Sequence, residues 1–91
     1  MKGVFKVIQQ GEAQAVTSKK SENGQTMKSI LVLQDLGGMY EDEFVCSMLG
    51  NQALMHFYPD DVVAVSLRFT KSEYEGKLRQ DVLVREVVKI N

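Results

Sequence analysis

The stretch Tyr40–Thr70, YEDEFVCSMLGNQALMHFYPDDVVAVSLRFT, changes its hydrophobic period twice, and those changes decide the fold. From Tyr40 to Leu49 the side chains alternate, with Phe44, Cys46 and Met48 on one side and Glu43, Val45, Ser47 and Leu49 on the other, as a pleated strand requires. From Gly50 to Tyr58 the period lengthens: Ala53, Leu54 and Phe57 recur at helical spacing, Asn51 can cap, and Pro59 ends the element. The segment is too short to stand alone as a helix, so it is expected to plug one end of a core with Leu54 and Phe57. Asp60-Asp61 then forms a turn. Val62–Thr70 returns to alternation, with Val63, Val65, Leu67 and Phe69 inward and Ala64, Ser66, Arg68 and Thr70 outward.

Strand signals flank this stretch on both sides. Val4–Ile8 opens a β-rich run that continues, more polar, to Val16, with Gly11 marking a bulge or bend in one long first strand. Thr17–Gln25 is polar and contains Asn23-Gly24, a strong hairpin signal. Met27–Asp35 is a second strand, apolar on both alternating faces at Ile30–Leu33, and Leu36-Gly37-Gly38 turns it into the third. After the fourth strand, Lys71–Leu78 is a polar hairpin with Gly76 near its tip. Gln80–Ile90 is the fifth strand, and its apolar phase slips near Arg85-Glu86, as a bulge would make it.

Three strands, a short helix and a hairpin of two long strands leave no crossover helix for a parallel βαβ unit. The expected fold is all-β: a five-stranded OB-fold barrel with a short helix between strands 3 and 4, a single domain spanning residues 1–91. A small SH3-type barrel is the alternative, less suited because its strands are not separated by an apolar helix at that point.

Composition sets limits on function. Ninety-one residues, 44% apolar and 25% charged with one proline, describe an ordinary globular chain with a single core. The apolar runs fall far short of the roughly 20 residues that span a bilayer, and MKGVFKVIQQGEAQ turns polar too soon for a secretory signal. One cysteine, Cys46, cannot form an internal disulfide and lies in an apolar strand, which fits a buried thiol and a cytoplasmic location. The net charge of −1 is unusual for a strong nucleic-acid binder, so any such role depends on where the charges lie.

The stretches MKGVFKVI, FVCSMLGN, PDDVVAVSLRF and SEYEGKLRQDVLV carry a resemblance. With an apolar strand ending in glycine, a short helix, an acidic turn and an extended Tyr-x-Gly hairpin, the chain resembles a small bacterial OB-fold family. That family is related to single-stranded-DNA-binding and primosomal replication proteins. The resemblance covers most of the chain, rests on markers of fold rather than of chemistry, and implies an OB-fold with a role on single-stranded nucleic acid. The chain departs from those binders in having no tryptophan and no aromatic residue in its first loop.

Single-strand binding needs cations that follow the phosphates and aromatic faces on which bases stack. On an OB plan the first loop supplies Lys19 and Lys20, the last hairpin supplies Lys71, Tyr74, Lys77 and Arg79, and Lys28 and Arg68 project from neighbouring strands. The plainer alternative makes these lysines solvated loop residues interleaved with Glu22, Glu73 and Glu75, and makes Tyr74 a packing partner of Leu78. Glu41-Asp42-Glu43 is a poor neighbour for phosphate and reads as a charged, soluble edge. The surplus of apolar residues around the second strand marks Leu31, Leu33 and Leu49 as candidates for a homodimer interface, unless the monomer itself covers that face.

No catalytic, metal or cofactor site is expected. His56 lacks partners at ligand spacing, the serines lack a base in any recognisable motif, and phosphate-binding glycine loops are missing. The expected activity is therefore weak, sequence-tolerant binding of single-stranded nucleic acid by a non-catalytic dimer, with no membrane or small-molecule substrate involved. A protein-interaction or assembly module is the alternative. Oligosaccharide binding has precedent in the fold but too few exposed aromatics here.

Overall fold

The computed structural model describes residues 1–17 and 24–91. Six strands follow one another: β1 (Lys2–Gln10), β2 (Gln14–Thr17), β3 (Gln25–Asp35), β4 (Glu43–Leu49), β5 (Val62–Tyr74) and β6 (Lys77–Lys89), with a 3₁₀ helix (Gly50–Leu54) between β4 and β5. β1 pairs antiparallel with both β5 and β3, β3 with β4, and β5 with β6, while β4 and β6 meet in parallel at Ser47 and Leu83. These pairings close a ring of five strands, β1-β5-β6-β4-β3, to which β2 is added at the edge of β3. No helix among the described residues is long and apolar enough to cross a membrane.

The core lies inside this ring. Phe5, Val7, Leu31, Leu33, Cys46, Met48, Val63, Val65, Leu67 and Val84 are buried there, alternating along their strands with outward residues. β4 and the first half of β5 follow the phases read from the sequence. Phe69, expected inward, is 45% exposed, because β5 runs on past the ring and no longer has a core beneath it.

Two other elements differ from expectation. The first strand is interrupted at residues 11–13, and its irregularity comes earlier than Gly11: Val7 pairs with Leu33 and Gln9 with Val32, leaving Ile8 as the extra residue. The helix is a five-residue 3₁₀ turn rather than a segment reaching Tyr58. Gly50 enters it at φ 67°, and Leu49, in extended backbone without a side-chain bond, stands where Asn51 was expected to cap. Such a turn buries Ala53 and leaves Leu54 53% exposed, so Ala53 and Phe57 close that end of the ring. Gln10 anchors the segment, since its Nε2 donates to the Met55 carbonyl (2.6 Å) and its Oε1 accepts from the Phe57 amide (2.8 Å).

The phase slip in β6 is a bulge. Ser66 pairs with Glu86 but Leu67 with Val84, so Arg85 is unopposed, and its carbonyl accepts a 2.7 Å bond from Gln52 of the 3₁₀ helix. Beyond Leu67, β5 and β6 pair only with each other along most of their length and form an arm. The arm ends in the two-residue turn Glu75-Gly76, whose φ angles of 53° and 77° are those of a type I′ hairpin turn.

Candidate nucleic-acid interface

Residues opposite one another in a ladder share a face, so the register assigns each candidate side chain to a side. The inward residues of β3 are Ser29, Leu31 and Leu33. Lys28, Ile30 and Val32 are therefore outward, paired with Leu49, Ser47 and Val45. Ser47 continues this outer face to Leu83 of β6, and Leu83 continues it to Arg68 of β5. Along the arm the same side carries the pairs Thr70–Asp81, Ser72–Arg79 and Tyr74–Lys77. A shallow cleft of about 350 Å³ lies between Thr26 and Lys28 and the β6 residues Asp81 and Leu83, with Ser47 and Leu49 of β4 between them.

One side thus collects Lys28, Arg68, Tyr74, Lys77 and Arg79. Asp81 is the only carboxylate among the arm positions of that side, so the local balance is positive although the chain carries −1. Tyr74 is 62% exposed, and the Arg79 guanidinium lies 5.8 Å from the centre of its ring. A guanidinium over a phenol ring offers a cation and an aromatic face side by side, suited to a phosphate and to a base. Tyr74 does not pair with Leu78, which faces Glu73 on the other side of the arm. Glu43 faces outward too, but at the end of β4 away from Leu49 and Lys28.

Lys71 is not part of this set. It pairs with Gln80 on the opposite side of the arm, with Phe69 and Leu78. Lys19 and Lys20 lie outside the described residues.

The interface candidates divide differently from expectation. Leu31 and Leu33 have no exposed surface and belong to the core, because pairing with β1 turns the odd-numbered residues of β3 into the ring. The outward apolar residues are Ile30 and Val32, both half-buried, with Val45 (56% exposed) and Leu49 (40% exposed). Of the three leucines, Leu49 alone is on the surface. The sequence could not choose between the faces of β3, since both are apolar. It did hold a signal for the arm: a two-residue turn at Glu75-Gly76 fixes Tyr74 opposite Lys77, and every later pair follows.

The one cysteine is placed for packing. Cys46 is buried, its Sγ 3.4 Å from the Leu31 carbonyl, and burial pushes the thiol from 9.0 up to about 11. Its thiolate, the nucleophilic form, is correspondingly scarce at neutral pH. Among the described residues no three His, Cys, Asp or Glu side chains gather as a metal site would require. Gln34, buried between β3 and the following turn, donates from Nε2 to the carbonyls of Met39 and Glu41 (3.1 Å each) and so ties that turn to the ring.

No protein-family model matches the chain, and no curated protein matches it in sequence.

Proposed function

We propose that the protein is an OB-fold that binds single-stranded nucleic acid, DNA in the first instance, weakly and with little sequence preference, without catalysing a reaction. The strand order β1-β5-β6-β4-β3, antiparallel except for the contact of β4 with β6 and closed at one end by a short helical turn, supports the OB reading and with it the resemblance to single-stranded-DNA-binding and primosomal proteins. The observation that carries the functional reading is the register that ranges Lys28, Arg68, Tyr74, Lys77 and Arg79 along one side. Phosphates would follow the cations while bases stack on Tyr74 and Arg79, each stack contributing about 1–3 kcal/mol. A modest cation count and one well-exposed aromatic on that side imply weak binding, which a cytoplasmic homodimer would raise by presenting two arms to one strand.

Fluorescence anisotropy of a labelled oligo-dT tests this. Binding at micromolar protein in low salt, weakening as salt rises, is expected; no binding at tens of micromolar protein in low salt would refute it.

A second reading, a protein-interaction module, draws on the exposed Val45 and Leu49 in the middle of the same surface. Partners captured from lysate equally well with and without nuclease would favour it over the first.

A further inference from the structure

The ring has two ends, and only one is closed by Ala53 and Phe57. The other, bounded by the start of β1, the end of β3, the start of β4 and the base of the arm, opens into a cavity of about 710 Å³. Its apolar lining is Phe5, Phe44, Phe69 and Val82, with Phe5 and Phe44 edge to face, 5.0 Å between ring centres at 83°. Gly3 takes the inward position next to Phe5 on β1. A Cβ there would stand 2.7 Å from Cε2 and 2.8 Å from Cζ of the Phe5 ring, so a larger residue would push that ring aside. Absence of a side chain at position 3 therefore lets the Phe5 ring lie over β1 as an aromatic wall of the mouth.

Charge at this mouth is opposite to that of the arm. Asp35 and Asp42 line the cavity with Glu43 at its rim, and the cations there are Lys2 and the amino group of Met1, which donates to the Leu67 carbonyl (2.9 Å). Among the described residues the ion pairs are Lys6–Asp60 and Lys89–Asp61, so none of these three carboxylates is neutralised by a salt bridge. Phosphate is a poor occupant for such a place. A planar cation on an apolar stem suits it, because its faces stack on aromatic rings while its edge donates to carboxylates, and the guanidinium of arginine combines these properties while staying charged at every physiological pH.

We propose that this mouth is a binding site for an arginine side chain presented by a partner polypeptide. The site is separate from the proposed nucleic-acid surface: Phe69 and Val82 form a pair on the side of the arm opposite Tyr74, Lys77 and Arg79. The cavity volume is within the usual range for small-ligand pockets and exceeds what one side chain fills, leaving room for neighbouring backbone.

The test titrates the ¹⁵N-labelled full chain with a blocked Gly-Arg-Gly peptide, the same peptide with citrulline for arginine, and agmatine, while amide shifts are followed. The arginine peptide is expected to give saturable shifts at Gly3, Phe44 and Phe69, the uncharged citrulline peptide to bind about tenfold more weakly, and agmatine more weakly than the arginine peptide. Asp42→Asn with Glu43→Gln, and separately Phe69→Ala, should each weaken the arginine peptide several-fold while shifts far from the mouth stay unchanged. Lys77→Gln with Arg79→Gln should leave it unaffected, whatever those changes do to nucleic-acid binding. Shifts that never saturate or map elsewhere, or equal binding of the citrulline peptide, would overturn the site. Equal binding of agmatine would overturn the polypeptide as its source.

Discussion

Neutralising Lys77 and Arg79 should halve the salt dependence of single-strand binding. Among the described residues, the outward side of β3 and the arm carries the cations Lys28, Arg68, Lys77 and Arg79. Each phosphate neutralised on a single strand contributes about −0.7 to the slope of log K against log salt, so four contacts give about −2.8 and two about −1.4. Between about 50 and 200 mM salt the native protein should then lose affinity about 50-fold and the Lys77→Gln/Arg79→Gln variant about sevenfold. The assay is anisotropy of labelled oligo-dT over a salt series, with Lys71→Gln as the control. Lys71 is only a few residues from the tip of the arm but faces the other side. An unchanged slope in the double variant, or a slope lowered equally by Lys71→Gln, would refute the assignment of these cations to one surface.

Other outcomes follow from the same geometry. Tyr74→Ala should weaken oligo-dT binding by about 1–3 kcal/mol without altering the salt slope by as much as one contact, since it removes a stack and no charge. Leu31→Ala should destabilise the protein by about 2–5 kcal/mol in urea unfolding, whereas Leu49→Ala, at a 40% exposed position, should cost less than about 1 kcal/mol; comparable losses would mean that the inner and outer faces of β3–β4 are wrongly assigned. Gly76→Ala, at φ 77°, should cost about 1 kcal/mol, read as a lower urea midpoint. For Cys46 the unfolded thiol ionises near 9 and the folded one near 11, so the unfolded state releases its proton first. Stability should therefore fall as pH rises through that window, by at most about 2–3 kcal/mol, and the fall should be smaller in Cys46→Ala, as paired unfolding curves at pH 8 and 11 would show.

Much of the architecture is legible in the sequence because alternation survives wherever one face of a strand is buried. Val63, Val65 and Leu67 point inward as their period dictates, and the break at Arg85-Glu86 is a bulge at Arg85. The misreadings have physical causes. Phe69 keeps the period of its strand after the strand has left the core. In a 3₁₀ turn the side that faces inward is not the one an α-helical spacing selects, so Ala53 rather than Leu54 is buried. Leu31 and Leu33 could not be distinguished from Ile30 and Val32, because only the long-range pairing of Leu33 with Val7 decides which of two apolar faces turns inward. For the candidate surface the sequence offers cations and a tyrosine but not their grouping, since Lys71 and Lys77 are alike in the sequence and separate only once the hairpin register is fixed.

The most direct test of the central claim is a map of amide shifts in the ¹⁵N-labelled protein on addition of oligo-dT. Binding through the outer side of β3, β4 and the arm should move Lys28, Arg68, Tyr74, Lys77 and Arg79 together and leave Lys2, Lys6 and Lys89 in place. Shifts centred on β1, or spread evenly over every lysine of the chain, would contradict it.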